Sequence, residues 1–365
     1  MKKARIAFVK FAGMANGGTE KYLQTLAAGL PKDEFDVTYF YCDAAPYIGS
    51  DYKHQDTDPN RLEWMENTNV KLVKFDVEFK DVTTSTHDWV NTNFWEFFNE
   101  DDFDIIQTGR AGHPEYPFTL INKTPIIDSI HLAGMAENKS NTKMTILVSE
   151  RQREEWIASG GNKEKSISLP GPIIIPDNIT ESYRDTLNLE NKFVFGIHQR
   201  NDDGIFSPII LESYRKIESD KTCFIILGGS DRYRKQSKDL GIKNIIFMDT
   251  TSDVSEIHKF LGTLDVYAHG RSDGEQCSGA ITEALSHGLP VVSHVAPSMG
   301  HLDQIDDAGL VVNNVEEYSE EMKKLMTEPE YKQMRSKNAK KRYESVYSVD
   351  SIMDEYIKIC KKVLK

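Results

Sequence analysis

The chain has 365 residues, 39% of them hydrophobic and 28% charged, and a formal net charge of −13. This length allows about two domains, and the composition is ordinary for a globular protein. The acidic balance argues against a nucleic-acid partner, which calls for a basic face, and against docking on anionic lipid by charge alone.

The four cysteines, Cys42, Cys223, Cys277 and Cys360, are scattered and form no C-x-x-C. They read as reduced thiols rather than as a disulfide framework or a zinc site. Arg5 and Lys10 interrupt the apolar run near the start, which is therefore not the core of a signal peptide. No apolar run approaches the length of a membrane span. The expected setting is the cytoplasm, with no integral membrane segment and with peripheral membrane association left open.

In chain order, Arg5 to Val9 is a short, buried strand. The loop FAGMANGG follows, and Thr19 to Leu30 has helical spacing, with Tyr22, Leu23, Leu26, Ala27 and Leu30 in one stripe. Phe35 to Tyr41 is a second strand. This βαβ opening predicts a parallel sheet with helices on both faces. Residues 43 to 69 read as a surface excursion holding one short helix, RLEWMEN. Val70 to Phe75 is a strand, and Asp88 to Asn99 is a helix with an aromatic face. Ile105 to Gln107 is a strand, followed by the loop TGRAGHPEYP. Pro125 to Ile130 is a strand ending at His131, Met144 to Val148 another, and Ser149 to Ser159 a helix stopped by Gly160-Gly161. Pro170, Pro172 and Pro176 form a stiff connector that marks a domain boundary.

A second βαβ series begins at Phe193 to Ile197. Helices are expected at Pro208 to Ile217, Tyr233 to Leu240 and Val254 to Leu261, and strands at Cys223 to Leu227 and Ile245 to Phe247. Leu264 to Val292 then reads as strand, open loop, short helix, turn and strand. Gly309 to Val312 is the last strand, Val315 to Met326 a helix, and Glu328 to Lys365 a charged, mostly helical tail.

Several residues in this layout can carry chemistry. Glu275 and Glu283 lie eight residues apart, one in the loop and one in the helix, so both can face one ligand. They read as solvated carboxylates, as the acid/base pair of a hydrolase, or as acceptors for sugar and ribose hydroxyls. An idle charge at Glu283, ahead of buried strands, would be costly. Ser278 and Gly279 are small residues where the helix begins, at the C-terminal end of a strand, which suits phosphate. Gly17-Gly18 joins the first strand to the first helix and is either a tight turn or a phosphate contact. It is neither a G-x-G-x-x-G nor a G-K-[ST] loop. His131 ends a strand, where such sheets bind ligands. Arg200 ends another and can clamp a diphosphate, or pair with Asp202 and Asp203 in a structural role. Asp102-Phe103-Asp104 matches the D-x-D of metal-dependent sugar transferases but precedes a strand instead of following one.

Gly17-Gly18-Thr19-Glu20, His131, Arg200 and Glu275-x7-Glu283-Ala-Leu-Ser-His-Gly-Leu-Pro-Val-Val, in this order along nearly the whole chain, together resemble the family-four retaining glycosyltransferases of GT-B fold. The resemblance implies an α/β protein of two Rossmann-like, doubly wound domains facing across a cleft. Residues 1–172 would form the acceptor-side domain and residues 173–345 the nucleotide-sugar-binding domain. Residues 346–365 would be a C-terminal helix crossing back to the first domain. It implies retaining transfer from a UDP- or GDP-linked sugar to a glycan or other hydroxyl acceptor, with no essential metal and no cofactor.

Mapped onto this chain, the catalytic residues implied are His131, Glu275 and Arg200. Glu283 would accept from the ribose, and Glu275 would hold hydroxyls of the donor sugar. Cys277, Ser278 and Gly279 would line the sugar and diphosphate, and Arg200 with the Gly17 and Gly18 amides would stabilise the departing diphosphate. His131 would touch the donor sugar. Arg110, His113 and residues 43 to 69 are candidates for acceptor contact. Two departures stand out. The family's R-x4-K-G pattern lacks its lysine here, since no lysine follows Arg200 until Lys216; one positive charge on the diphosphate is therefore either missing or supplied elsewhere, by Arg232 or Arg271. Cys277-Ser278 replaces the usual Phe-Gly. Two other readings follow: a nucleotide-sugar epimerase, and a non-catalytic nucleotide-sugar-binding protein.

Overall fold

The computed structural model describes residues 2–15, 17–43, 56–79, 90–110, 118–132, 139–176 and 181–365. The chain divides into two compact units, Met1–Pro172 with Val349–Lys365, and Ile173–Ser348.

The first unit is a seven-stranded parallel sheet. Its strands are β1 (Ala4–Lys10), β2 (Phe35–Tyr41), β3 (Lys71–Lys74), β6 (Ile105–Arg110), β7 (Ile126–Ile130), β8 (Thr142–Leu147) and β9 (Ser166–Ser168), in the order β3-β2-β1-β6-β7-β8-β9. A short antiparallel pair, β4 (Val77–Phe79) with β5 (Val90–Thr92), stands apart. The helices are α1 (Gly18–Gly29), α2 (Pro59–Glu66), α3 (Phe94–Phe97) and α4 (Glu150–Ala158). In β1, Ile6 to Val9 are fully buried on both faces, as a central parallel strand requires. The stripe Tyr22, Leu23, Leu26 and Ala27 of α1 packs beneath it.

One expected element is much shorter than its aromatic pattern suggested. Of the helix foreseen from Asp88 to Asn99, only Phe94–Phe97 is helical, and Val90–Thr92 is strand. Asp88 and Trp89 lie outside the described residues. Phe94 and Phe98 instead join Phe40, Phe75, Phe103 and Phe118 in a cluster of edge and stacked ring contacts. Aromatic residues are weak helix formers, and ring packing decides the backbone here.

The second unit is a six-stranded parallel sheet of β10 (Phe193–Gln199), β11 (Thr222–Gly228), β12 (Ile245–Met248), β13 (Val266–Ala268), β15 (Val291–His294) and β17 (Gly309–Val312), in the order β12-β11-β10-β13-β15-β17. Two-residue strands β14 (Gly274–Glu275) and β16 (Ser298–Met299) pair with each other outside it. The helices are α5 (Ile209–Ile217), α6 (Asp231–Asp239), α7 (Val254–Leu261), α8 (Gly279–Ser286), α9 (His301–Ile305), α10 (Val315–Thr327) and α11 (Pro329–Arg342). In each sheet the strand order reverses beside the first strand, at β1/β6 and at β10/β13. Open α/β sheets bind ligands beyond the carboxyl ends of such a pair.

The chain rejoins the first unit at α12 (Val349–Val363), where Ile352, Met353, Tyr356, Ile359 and Cys360 are buried. Gly29 of α1 admits this helix, because a Cβ there would lie 2.7 Å from the Met353 sulfur. The Tyr356 hydroxyl donates to Gln107 Oε1 at 2.9 Å inside the core. No described helix is long and apolar enough to cross a membrane. Replacing Tyr356 by Phe takes this donor from a buried amide oxygen, so it is expected to cost about 1–3 kcal/mol. Urea unfolding followed by a probe in the first unit checks this; an unchanged midpoint would show that the hydrogen bond contributes nothing.

Candidate functional site

Three chain segments meet at the β10/β13 crossover. β10 ends at Gln199 and leads into Arg200–Phe206. β13 ends at Ala268 and leads into 269–278. α8 opens at Gly279. The first two loops are laced together: Gln199 Nε2 donates to Gly270 O at 2.6 Å, and Ser272 Oγ donates to Gly204 O at 2.8 Å. A cavity of about 350 Å³ lies here. Its lining includes His198, Gln199, Arg200, Thr250, Thr251, Arg271, Glu275, Ser278, Gly279 and Ala280, with Ile205, Leu227 and Ile257 as its apolar part.

Glu275 is fixed by its backbone. It sits in the two-residue ladder of β14 with β16, and the residue before it, Gly274, has φ +71°. A Cβ at Gly274 would come within 1.8 Å of Ser298 O, so only glycine fits. The Glu275 carboxyl is held at a pKa of about 2. Burial opposes its ionisation, but the His269 ring, the Ser278 side chain and the Arg271 guanidinium outweigh burial. His269 Nε2 lies 3.8 Å from Oε1, and its Nδ1 is 2.7 Å from Ser293 Oγ. Arg271 Nη1 donates to Glu275 Oε1 at 3.3 Å.

Ser278 caps α8, its hydroxyl accepting from the Ile281 amide at 3.4 Å. Its own amide donates to Gln304 Oε1 at 2.5 Å, so that amide is occupied within the fold. Gly279 and Ala280 begin the helix and line the cavity. First-turn amides have no acceptor in their own helix and face whatever occupies such a space.

Arg200 lines the cavity with its side chain 67% exposed, paired to Asp202 Oδ2 at 3.0 Å. Asp203 accepts from the Ser230 hydroxyl instead. Glu283 is not a lining residue of the cavity. Its Oε2 lies 2.9 Å from His198 Nε2, and it is His198 that lines the cavity, with Nδ1 buried and without a hydrogen-bond partner. Cys277, in no disulfide, is also absent from the lining.

The first unit holds the other candidates. Gly17 is the N-cap of α1, and a Cβ there would lie 2.0 Å from Glu20 Oε2; nothing crowds Gly18 within 4 Å. Glu20 pairs with Lys10 at 3.3 Å, at the end of β1. His131 stacks edge-on against Tyr22 with ring centroids 4.6 Å apart, and its Nε2 is buried without a hydrogen-bond partner. Burial, then the charge of Lys10, pushes its pKa down to about 3, so the ring is neutral. Arg110 departs from the expected acceptor contact: it is buried and paired to Asp128 at 2.8 Å. The D-x-D is structural at its second position, where Asp104 accepts from the Arg5 amide and guanidinium, both at 2.9 Å. His113 and residues 44–55 lie outside the described residues.

Sequence reasoning missed His198, Gln199, Thr250 and Thr251. His198 had a signal, since it stands two residues before Arg200 on an alternating strand end. The threonines follow β12 with no motif of their own.

Residues 208–342 match the family of glycosyl transferases group 1. The matched segment lies within the second unit and makes up less than half of the chain. The match covers α8 and the loop that holds Glu275. No curated protein matches the chain in sequence. Solved structures show the fold, that of the GT-B glycosyltransferases. HepE of Anabaena, solved with UDP and glucose, is 15% identical over 98% of this chain and 99% of its own, with TM-score 0.69. A glycosyltransferase of Rickettsia africae is 12% identical over 100% of both chains, with TM-score 0.75. A protein of Listeria monocytogenes described as a putative UDP-N-acetylglucosamine 2-epimerase is 14% identical over 99% and 96%, with TM-score 0.64.

Three histidines, two half-buried and one buried, make the fold sensitive to acid. His131 is held neutral to about pH 3, and His287 and His301 to about 4, in each case first by burial. The unfolded chain protonates them near 6.5. Their stability contribution is therefore present above that value and is lost as pH falls through the window below it, at up to about 1.4 kcal/mol per pH unit for each ring. His131→Gln is expected to shrink the stability difference of the first unit between ~pH 7 and ~pH 5, read by urea unfolding. An unchanged difference would contradict the neutral ring.

Proposed function

We propose that the protein is a retaining glycosyltransferase that moves a sugar from a UDP- or GDP-linked donor to a glycan or other hydroxyl acceptor. The observation that carries this reading is the cavity of the second unit, where Glu275, Arg200 and the first-turn amides of α8 meet, Glu275 and α8 within the matched segment. An ionised carboxylate accepts hydroxyl hydrogens, and a helix start with a guanidinium receives phosphate. The ligands of HepE, UDP and glucose, belong to the same chemical class.

In this reading Glu275 grips hydroxyls of the donor sugar and sets its anomeric carbon. Arg200 and the Gly279 and Ala280 amides take the charge that builds on the departing diphosphate. Glu283, outside the cavity lining, acts on the ribose through His198, which it holds at the cavity. For the first unit, His131, Gly17 and Gly18 are kept as candidate donor contacts; a neutral His131 can accept or donate one hydrogen bond without adding charge. The leaving phosphate takes the acceptor's proton on the face it departs from, which gives retention. The protein supplies position and electrostatics. The reading includes no essential metal. It is supported by the tie of Asp104 to Arg5, which engages the D-x-D in the fold.

The likeness to the Listeria protein keeps an epimerase as the second reading. Incubation with donor alone separates the two: an epimerised nucleotide sugar favours the epimerase. With acceptor present, NMR of the product is expected to show the donor's anomeric configuration, and the opposite anomer would overturn retention. Glu275→Gln is expected to lower turnover by about 100-fold while the melting temperature and nucleoside diphosphate binding persist. Turnover equal to that of the unaltered protein would sink the role given to Glu275.

A further inference from the structure

We propose that Arg271 is the second cation on the donor's diphosphate, in place of the lysine that does not follow Arg200; this rests on the donor-site reading above. A diphosphate carries more charge than one exposed arginine and two amides offset, so a second cation is expected at the same cavity. Among the described lining residues the arginines are Arg200 and Arg271, and there is no lysine.

The other cations near in sequence are engaged elsewhere. Arg232 lies over the Phe206 ring at 4.1 Å and donates to Asp203 O at 3.3 Å. Lys216 pairs with Glu316 at 2.5 Å. Neither lines the cavity. The place of the absent lysine in the R-x4-K pattern is held by Ile205, a buried side chain in the apolar part of the lining.

Arg271 is held as a donor that needs little rearrangement. Its Nε and Nη2 form a fork onto the two oxygens of Asp273, at 2.6 and 3.0 Å. Nη1 reaches Glu275 at 3.3 Å, and the side chain is 22% exposed. A guanidinium has five N–H donors. Asp273 takes two and Glu275 one, which leaves two for a ligand. Burial opposes its charge, but Asp273 and Glu275 raise its pKa further, so it stays cationic. Arg200 contrasts with it, being exposed and held by one oxygen of Asp202. The two charges differ in setting, Arg271 being held at the cavity wall by two carboxylates and Arg200 open to solvent.

The competing account is that Arg271 only braces the loop of Glu275. Calorimetry with UDP, GDP, UMP and GMP separates the two, using the full chain and R271Q and R271K. With Arg271 on the phosphates, R271Q weakens diphosphate binding by about tenfold or more and leaves the monophosphates within about twofold. R271K, which keeps the charge and loses the fork, keeps the preference for diphosphate. With a bracing role alone, R271Q and R271K behave alike and the diphosphate-to-monophosphate ratio does not move; that result overturns the proposal. Should R271Q fail to fold, equal affinity of R271K for the two classes overturns it as well. If the unaltered protein binds none of the four nucleotides, the donor-site reading itself fails, which is a distinct outcome.

Discussion

A carboxylate that is buried and ionised must be compensated locally, and the second unit is arranged around doing so for Glu275. Burial alone would raise its pKa. The net effect is the reverse, because a histidine ring, a helix-capping serine and an arginine face it together. The backbone makes the same demand. A ladder of two residues, with a glycine that no other residue can replace, turns the loop so that the carboxylate points back at the start of α8. Remove this compensation and the carboxylate either protonates or leaves, and the cavity loses the acceptor that distinguishes it from a simple anion site.

The same cluster explains how acid and base groups coexist in so small a space. Arg271 serves Glu275 and Asp273 at once, so charge pairs hold this part of the cavity wall. The helix start adds positive partial charge without a side chain. Behind this layer lies a second polar layer. His198 joins Glu283, and His258 lies 2.8 Å from His287, Nδ1 to Nε2. Glu283 is thus tied into the fold before any ligand arrives. A position set in advance is what transfer by positioning and electrostatics asks of a site.

Much of the fold was legible because it depends on short-range patterns. The buried runs of β1, β10 and β11 and the stripe of α1 follow directly from residue type and spacing. That Glu275 and Arg200 lie at one cavity was legible for another reason: strand ends and helix starts recur at fixed places in doubly wound sheets. What failed to show was set by packing between distant segments. The stretch from Asp88 to Asn99 reads as one helix, but Phe94 and Phe98 are recruited by Phe40, Phe75 and Phe118. Arg110 reads as an exposed loop cation, but Asp128 on the neighbouring strand neutralises it in the core. The ladder of β14 with β16 is two residues long and has no periodicity to detect. Thr250 and Thr251 reach the cavity only because β12 lies two places from β10 in the sheet.

The role proposed for the cavity beside β10 and α8 is to receive the nucleoside diphosphate end of the donor. Hydrogen exchange by mass spectrometry, with and without saturating UDP or GDP, tests it most directly. Bound nucleotide is expected to slow exchange in peptides spanning residues 198–206 and 270–281, above all at the first-turn amides of α8. Slowing elsewhere in the second unit with these two segments unchanged would contradict it.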